Sequence, residues 1–220
     1  MQRGRKGWTG QGAAALIAAA AVLAAVPAAG QTPARPGSWV LDIRGVTSAV
    51  PTDTTFYPTL TSTVVPSRGF GADVGGHVYL FNLGPARVGL GASFVTVRAT
   101  ASATSTQTDA AELVEPGQRV MLTLRAIAPQ ISLNFGSRDG WSYLSAGLGL
   151  GSVNSRTENS APGDRESGRL RTVNYGGGAR WFIRPRLAFG VDLRAHQLAA
   201  SAGTPRVSVF AASAGLSFRK

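Results

Sequence analysis

The sequence contains no cysteine among its 220 residues, so it offers neither a disulfide framework nor a thiolate metal site. It has only two histidines, too few for a zinc site built from several ligands at fixed spacing. Acidic residues are also scarce, since 11 stand against 22 basic ones, and the formal net charge is +11. The basic residues are scattered without a long run, which argues against a nucleic-acid-binding patch. These absences predict a protein without a cofactor, a metal or a nucleic-acid partner.

Long apolar runs are equally scarce. The one conspicuous run, 13–26, follows the basic segment 3–6 and precedes small residues that end at Gly30. This order is typical of a secretory signal peptide, with cleavage expected after Gly30. A membrane anchor is the weaker alternative, because the run is shorter than the roughly 20 residues that a spanning helix needs. We therefore predict three parts: a signal peptide over 1–30, a short periplasmic leader over 31–37 and one domain over 38–220.

What the sequence has in abundance is alternation. From residue 38 onward, segments of about ten residues carry apolar side chains at every second position and small or polar ones between. In Leu187–His196, Phe189 and Leu193 share one face, whereas Asp192 and Arg194 share the other. Because successive side chains of a strand point to opposite faces, one face suits lipid and the other suits water. The segments with this pattern are 38–46, 69–81, 87–98, 119–135, 141–151, 170–183, 187–196 and 206–219.

The segment 119–135 is irregular, because its apolar residues change parity along its length. The even positions before Pro129 hold Val120, Leu122 and Leu124, whereas the odd positions after it hold Ile131, Leu133 and Phe135. A β-bulge between Ile127 and Pro129 would restore a common facing, and proline is tolerated at such points. The pattern therefore predicts a bulge in the fourth strand.

The connections between the segments alternate between short and long. The second, fourth and sixth are followed by tight turns, whereas the connections 47–68, 99–118 and 152–169 are long and polar. Short turns at one end and long loops at the other are typical of transmembrane β-barrels. Lipid offers no hydrogen bonds, so the sheet must close, and eight strands make the smallest usual closure. We predict an all-β fold, an eight-stranded antiparallel up-and-down transmembrane barrel.

Opposite the lipid face, most side chains are small, but a few are long and ionisable. Opposite charges in a narrow lumen of low dielectric constant are expected to pair, which predicts a polar network that plugs the interior. The predicted network consists of Asp42, Arg44, Asp73, His77, Arg125, Arg180, Asp192, Arg194 and His196.

Four segments carry a resemblance to a known family: Tyr143–Gly151 (YLSAGLGLG), Asn174–Pro185 (NYGGGARWFIRP), Leu187–His196 (LAFGVDLRAH) and Ala212–Phe218 (ASAGLSF). They resemble the bacterial outer-membrane β-barrel domain family, the small barrels of the outer-membrane-protein-A type. The resemblance implies an outer-membrane location, contact with outer-membrane lipid and lipopolysaccharide, and insertion by the barrel-assembly machinery. It also implies that this machinery recognises a terminal aromatic residue, and here Phe218 is followed by two further residues.

The sequence favours a structural or surface-interaction role through the long external loops, with an extracellular partner that it does not identify. A narrow pore for small solutes is the alternative. A soluble lipocalin-like periplasmic barrel is less favoured, because its apolar side chains would have to point inward.

A lipid-modifying enzyme is also less favoured. A Ser–His hydrolase needs a nucleophile within reach of its base, and Ser201, the serine nearest to His196, lies beyond the strand end. We therefore predict no catalytic site. The charged loop residues are interpreted as solvated, although they could bind a divalent cation or a lipopolysaccharide headgroup. These are Asp109, Glu112, Glu115, Asp164, Arg165 and Glu166.

Overall fold

The computed structural model describes residues 37–57, 65–102, 119–136, 139–158, 164–201 and 203–220. The predicted signal peptide and the acidic residues Asp109, Glu112 and Glu115 lie outside these ranges. Among the described residues, no helix has the length and apolar character needed to cross a membrane. The strands are β1 (Trp39–Ala49), β2 (Arg68–Leu83), β3 (Ala86–Ser102), β4 (Arg119–Gly136), β5 (Gly140–Glu158), β6 (Asp164–Glu166), β7 (Leu170–Arg184), β8 (Leu187–Leu198) and β9 (Val207–Arg219), and a 3-10 turn spans Thr54–Phe56.

All strands except the short β6 form one closed antiparallel barrel. Each barrel strand pairs with the next along the chain, β5 pairs with β7, and β9 returns to pair with β1. At the closing seam Arg44 lies opposite Gly215. The predicted eight-stranded antiparallel barrel is therefore confirmed. Its tight turns lie at one end, here called the turn end, and its longer connections lie at the loop end.

The wall is taller on one side than the sequence pattern predicts. Strand β3 extends to Ser102 and β5 to Glu158, several residues beyond the predicted ends. Their outer ends pair with the start of β4 and, for β5, with β6. Alternation did not reveal these extensions, because above the membrane both faces of a strand can be polar. The strands β3 to β6 therefore project past the opposite wall at the loop end.

The outer face of the barrel carries a belt of exposed apolar side chains. Leu148 at mid-strand of β5 is 69% exposed, and the outward residues of neighbouring strands follow the same rule. Exposure of such a belt to water is unfavourable, whereas a hydrocarbon environment suits it. Examples from several strands are Ile43, Val78, Leu90, Ile131, Leu193 and Leu216.

The bulge predicted in β4 is absent. The register between β3 and β4 runs unbroken through Pro129, which lies opposite Ala92. The apolar residues of β4 change parity for another reason. Near the turn end they face lipid, as Ile131 does, whereas near the loop end they face an apolar interior, as Leu124 does.

Candidate functional site: the filled lumen

The interior of the barrel is divided into three layers along the strands. Strand β1 contributes to each layer in turn, because its inward residues include Val40, Asp42, Arg44 and Val46. Val40 belongs to an apolar floor near the turn end, Asp42 and Arg44 to a charged middle layer, and Val46 to an apolar upper layer. The alternation of side chains predicted only the middle layer.

Apart from Val40, the floor is made of aromatic side chains. Trp141 packs edge-on against Tyr79 at a centroid distance of 5.9 Å and against Phe182 at 4.8 Å. The Arg219 guanidinium lies 3.5 Å from the Phe182 ring centroid and 5.2 Å from that of Trp141. A cation at these distances is attracted to the ring faces, so Arg219 helps to hold the floor in place.

Asp42 is the centre of the first charged cluster. Arg180 donates two hydrogen bonds to it, from Nε to Oδ1 at 2.9 Å and from Nη2 to Oδ2 at 2.6 Å. Arg44 Nη2 lies 2.8 Å from Asp42 Oδ1, and Arg44 Nη1 lies 3.4 Å from Asp73 Oδ2. The hydroxyl of Ser217 donates to Asp42 Oδ1 at 2.5 Å. The Asp42 carboxylate is thus shared by two arginines and a serine.

Asp192 is the centre of the second cluster. It accepts hydrogen bonds from Arg194 at 3.2 Å and 3.0 Å and from the Tyr143 hydroxyl at 2.6 Å. Arg194 also donates to Ser145 Oγ at 2.8 Å and to Asn174 Oδ1 at 3.2 Å. Every side chain in this cluster is buried. Ser145 and Asn174 are neutral acceptors for N–H groups of Arg194 that would otherwise be buried without a hydrogen bond.

Tyr143 connects the two clusters. Its ring lies under the Arg180 guanidinium at 4.0 Å and within 5.9 Å of Arg44, while its hydroxyl bonds to Asp192. Space for the ring comes from Gly178, where an added Cβ would lie 2.7 Å from the Tyr143 hydroxyl oxygen. A glycine at this inward position is therefore a packing requirement.

The structure buries all the predicted network residues except one. Those buried are Asp42, Arg44, Asp73, His77, Arg180, Asp192, Arg194 and His196, none more than 8% exposed. The prediction was wrong for Arg125, whose side chain is exposed on the outer face of β4, between the inward residues Leu124 and Ala126. Because no bulge shifts β4, Arg125 keeps the parity of the lipid-facing Ile127.

The two histidines lie inside the barrel but outside the ion pairs. Nε2 of His77 and Nδ1 of His196 are buried and have no hydrogen-bond partner among the described residues. Ser201 is exposed in the connection between β8 and β9 and pairs there with Thr204. The structure therefore does not bring a serine nucleophile from that loop to the buried His196.

Several network members were missed from the sequence. Tyr143, Ser217, Ser145, Asn174 and Gln130 bond to the charged residues or to one another. Their inward parity was visible in the alternation, but it gives only the face of a strand. Which inward residues meet across the lumen depends on the stagger of all the strands.

The upper layer is a closely packed apolar cluster. Its least exposed members are Val97, Ala99, Val120, Leu122, Leu124, Leu170 and Leu198, none above 2% exposure. The chain itself covers this layer, because the segment after β1 folds inward and buries Phe56 and Tyr57 against it. The Ser155 hydroxyl of β5 donates to the Phe56 carbonyl oxygen at 2.5 Å. Part of the predicted external loop 47–68 is therefore a cap on the lumen.

The cap has its own local structure. Asp53 begins the 3-10 turn and accepts hydrogen bonds from the Thr55 amide at 2.9 Å and the Thr55 hydroxyl at 2.7 Å. These bonds hold the pKa of the Asp53 carboxyl below its usual range. The Tyr57 hydroxyl donates to the Pro51 carbonyl oxygen at 2.6 Å, and burial raises the pKa of Tyr57.

The charged loop stretch Asp164, Arg165 and Glu166 forms the strand β6. Arg156 of β5 donates to both carboxylate oxygens of Asp164, at 2.9 Å and 2.6 Å, and these bonds lower the pKa of Asp164. Arg165 donates to the carbonyl oxygen of Gly203. Asp164 and Arg165 thus have partners within the chain. In the described ranges, no group of three or more His, Asp or Glu side chains could hold a metal ion.

No protein-family model matches the sequence, and no curated protein matches it either. The fold is similar to that of Neisserial surface protein A, with a TM-score of 0.55 and 10% identity over 84% of this chain and 99% of that one. Ail of Yersinia pestis, crystallised with sucrose octasulfate, gives a TM-score of 0.49 at 16% identity, over 84% of this chain and 100% of that one. The N-terminal barrel domain of Pseudomonas aeruginosa OprF gives a TM-score of 0.39 at 13% identity, over 84% of this chain and 98% of that one.

The predicted resemblance to small outer-membrane barrels is thereby confirmed at the level of the fold. The closed barrel satisfies its own backbone hydrogen bonds, and its outer belt is apolar. The chain therefore has the fold of the small outer-membrane β-barrels, and its apolar belt fits strands that cross a membrane.

Proposed function

We propose that this chain is a sealed structural barrel of the outer membrane, with a surface-interaction role at its loop end and no catalytic or conducting activity. The observation that carries the proposal is the ion pairing of Arg180 and Arg44 with one buried carboxylate, Asp42, between two apolar layers. A water-filled pore would leave such charges hydrated, as in wider barrels.

The balance of charge in the middle layer supports a permanent plug. Three arginines face three aspartates, so the layer needs no mobile counter-ion when both histidines are neutral. The members are Arg44, Arg180, Arg194, Asp42, Asp73 and Asp192. Breaking such a layer to pass a solute would leave unpaired charges in a low dielectric, which costs several kcal/mol per ion.

Both ends of the plug are closed by the chain. Trp141 and Arg219 occupy the turn end, and Phe56 and Tyr57 occupy the loop end. An ion would have to pass three unlike layers in series. A narrow pore for small solutes is therefore the second candidate, and the conductance experiment below distinguishes it from a sealed barrel.

The test is planar-bilayer conductance of the refolded chain, after heat-dependent gel mobility has verified folding. The sealed barrel gives no steady single-channel current. A steady current would contradict the proposal if Gly75→Leu reduced it while Gly45→Leu left it unchanged. Gly75 faces the lumen, and its added Cβ would lie 3.5 Å from the Ala92 carbonyl oxygen. Gly45 faces outward, with its nearest contact at 3.9 Å.

The same two variants give a second measurement. In a filled lumen, Gly75→Leu overpacks the interior and costs about 1–3 kcal/mol of unfolding free energy, whereas Gly45→Leu costs little. Equal stabilities of the two variants would contradict a filled lumen even where no current is seen.

We further propose that residues 38–220 form the barrel domain behind a cleaved signal peptide over 1–30, and that the barrel-assembly machinery inserts it. Support comes from Phe218, which lies near the end of β9 and is 37% exposed on the outer face. Replacing Phe218 with Ala is expected to reduce the amount of folded barrel in outer-membrane fractions, without preventing refolding in detergent. Unchanged membrane levels would contradict recognition at Phe218.

A further inference from the structure

Four exposed arginines stand on one side of the barrel, above the apolar belt. We call them the arginine wall: Arg98 on β3, Arg125 on β4, Arg171 at the start of β7, and Arg169 in the connection directly before β7. All four are exposed, and none forms an ion pair with a residue in the described part of the chain. Nearby Arg156 differs, because Asp164 neutralises it. Among the residues that the structure describes, the arginine wall therefore has no acidic partner.

The wall follows the upper border of the belt. Strand β4 runs from the loop end to the turn end. Arg125 lies two residues nearer the loop end than the exposed Ile127, and both side chains point outward. On β7, Arg171 stands in the same relation to Val173. On β3, Arg98 lies four residues beyond Phe94. Because hydrocarbon ends at this border, the guanidinium groups lie at the height of lipid headgroups.

The strand register brings these arginines together. Arg98 lies opposite Thr123, two residues from Arg125 on the same face, which makes the two arginines diagonal neighbours. Such neighbours are roughly 7–8 Å apart. Arg125 lies opposite Ser152 of β5, and Arg171 lies opposite Leu150, two residues along that strand. Arg125 and Arg171 are thus separated on the outer face by one strand, β5, at the height of Leu150 and Ser152.

On the opposite side of the barrel, the described residues include no comparable group. At a similar height, the outward residues of β8, β9 and β1 are Gln197, Ser208 and Thr47. Arg68 and Arg206 are exposed there, but each stands alone at a strand end or in a connection. The charge is therefore concentrated on the side formed by β3, β4, β5 and β7.

We propose that the arginine wall binds the phosphate groups of a phosphorylated glycolipid headgroup in the outer leaflet. Guanidinium groups form bidentate, charge-assisted hydrogen bonds with phosphate oxygens, and Thr123 and Ser152 add hydroxyl donors beside them. The apolar belt directly below, including Ile127 and Leu150, covers the acyl chains of the same molecule. This inference rests on the outer-membrane location and is independent of whether the lumen is sealed.

The test uses the refolded full chain in nanodiscs of phosphatidylcholine that contain a minor fraction of diphosphoryl lipid A. Native mass spectrometry then counts the lipid A molecules that stay bound. The triple variant Arg98→Gln, Arg125→Gln, Arg171→Gln is expected to lower retention about tenfold or more, because each lost charge-assisted contact weakens binding. The matched control Arg68→Gln, Arg184→Gln, Arg206→Gln removes equal charge elsewhere and is expected to retain lipid A as the parent does.

Three further arms identify the source of the phosphate. Dephosphorylated lipid A and phosphatidylglycerol are expected to be retained weakly, and inorganic phosphate is expected not to displace diphosphoryl lipid A. Equal retention of the dephosphorylated lipid, or an equal loss in both triple variants, would overturn the proposal.

A single substitution serves where the triple variant does not refold. Arg125→Lys keeps the charge but removes the bidentate geometry, so it is expected to retain lipid A at a level between the parent and Arg125→Gln. No difference among these three proteins would also overturn the proposal. Heat-dependent gel mobility and conductance, which report on folding and on the lumen, are expected to be unchanged throughout.

Discussion

Arg180 and Asp42 form a bidentate ion pair across the interior, although 138 residues separate them in the sequence. The pair joins β7 to β1, which are separated in the barrel wall by β8 and β9. Both side chains are almost fully buried, at 1% and 3% exposure. A pair in this position fixes which inward residues meet, because any other stagger of the strands would leave two buried charges without partners.

Replacing Asp42 with Ala is expected to lower the free energy of unfolding by about 3–5 kcal/mol. The substitution leaves Arg180 and Arg44 buried without their shared carboxylate, and Ser217 loses its acceptor. Reversible urea unfolding of the refolded protein in lipid vesicles measures the change.

The control for this experiment is Asp164→Ala, which removes an arginine–aspartate pair of similar geometry at the protein surface. Solvent screens that pair, so its loss is expected to have little effect on stability. Equal effects of the two substitutions would contradict a low-dielectric interior around Asp42.

The sequence was sufficient to assign Asp42 and Arg180 to the inner face, because alternation in a strand determines the side on which each residue lies. The same rule failed for Arg125, because the apolar residues beside it, such as Leu124, were expected to face lipid and instead face the apolar interior. Apolar side chains mark the lipid face only within the height of the hydrocarbon. Arg125 lies above the apolar belt, where an outward arginine meets headgroups, and parity carries no information about height.

The cap formed by Phe56 and Tyr57 was also beyond prediction from the sequence. The segment reads as a polar loop with prolines, and nothing in its local pattern shows that two aromatic residues fold back into the barrel. That outcome depends on an apolar upper layer, which itself comes from several strands, among them β3, β4 and β7. Long-range packing of this kind has no local periodic signal.

Replacing Leu122 with Ala tests the apolar upper layer. Leu122 is fully buried in the barrel, so the truncation is expected to cost about 2–5 kcal/mol of unfolding free energy. Its neighbour Met121 points to the outer face and is only half-buried, so Met121→Ala is expected to change stability by about 0.5 kcal/mol or less. Urea unfolding of both variants makes the comparison. A lumen filled with water at this height would instead make Leu122→Ala nearly neutral.

Replacing Leu148 with Arg tests the lipid-facing belt. Leu148 lies near the middle of β5 with 69% of its surface exposed, and an arginine there is expected to cost about 2–4 kcal/mol in a bilayer. Leu83, at the turn end of β2, is 61% exposed but stands at the interface, so Leu83→Arg is expected to cost about 0–1 kcal/mol. The measurement is unfolding in phosphatidylcholine vesicles. If Leu83→Arg cost as much as Leu148→Arg, the belt would not be centred where the structure puts it.

Replacing Arg219 with Ala tests the closure of the turn end. The substitution removes a guanidinium that lies 3.5 Å from the Phe182 ring centroid and donates from Nε to the Pro185 carbonyl oxygen at 2.8 Å. A partly desolvated cation–π contact and one hydrogen bond together predict a loss of about 1–3 kcal/mol. Lys220→Ala is the matched control, because the residue keeps its backbone carbonyl bond from the Ser38 amide while losing only an exposed side chain. Trp141 is buried beside Arg219. Iodide is expected to quench the fluorescence of Trp141 more strongly in Arg219→Ala than in the parent, and no more strongly in Lys220→Ala. Equal quenching in both variants would mean that Arg219 does not close the floor.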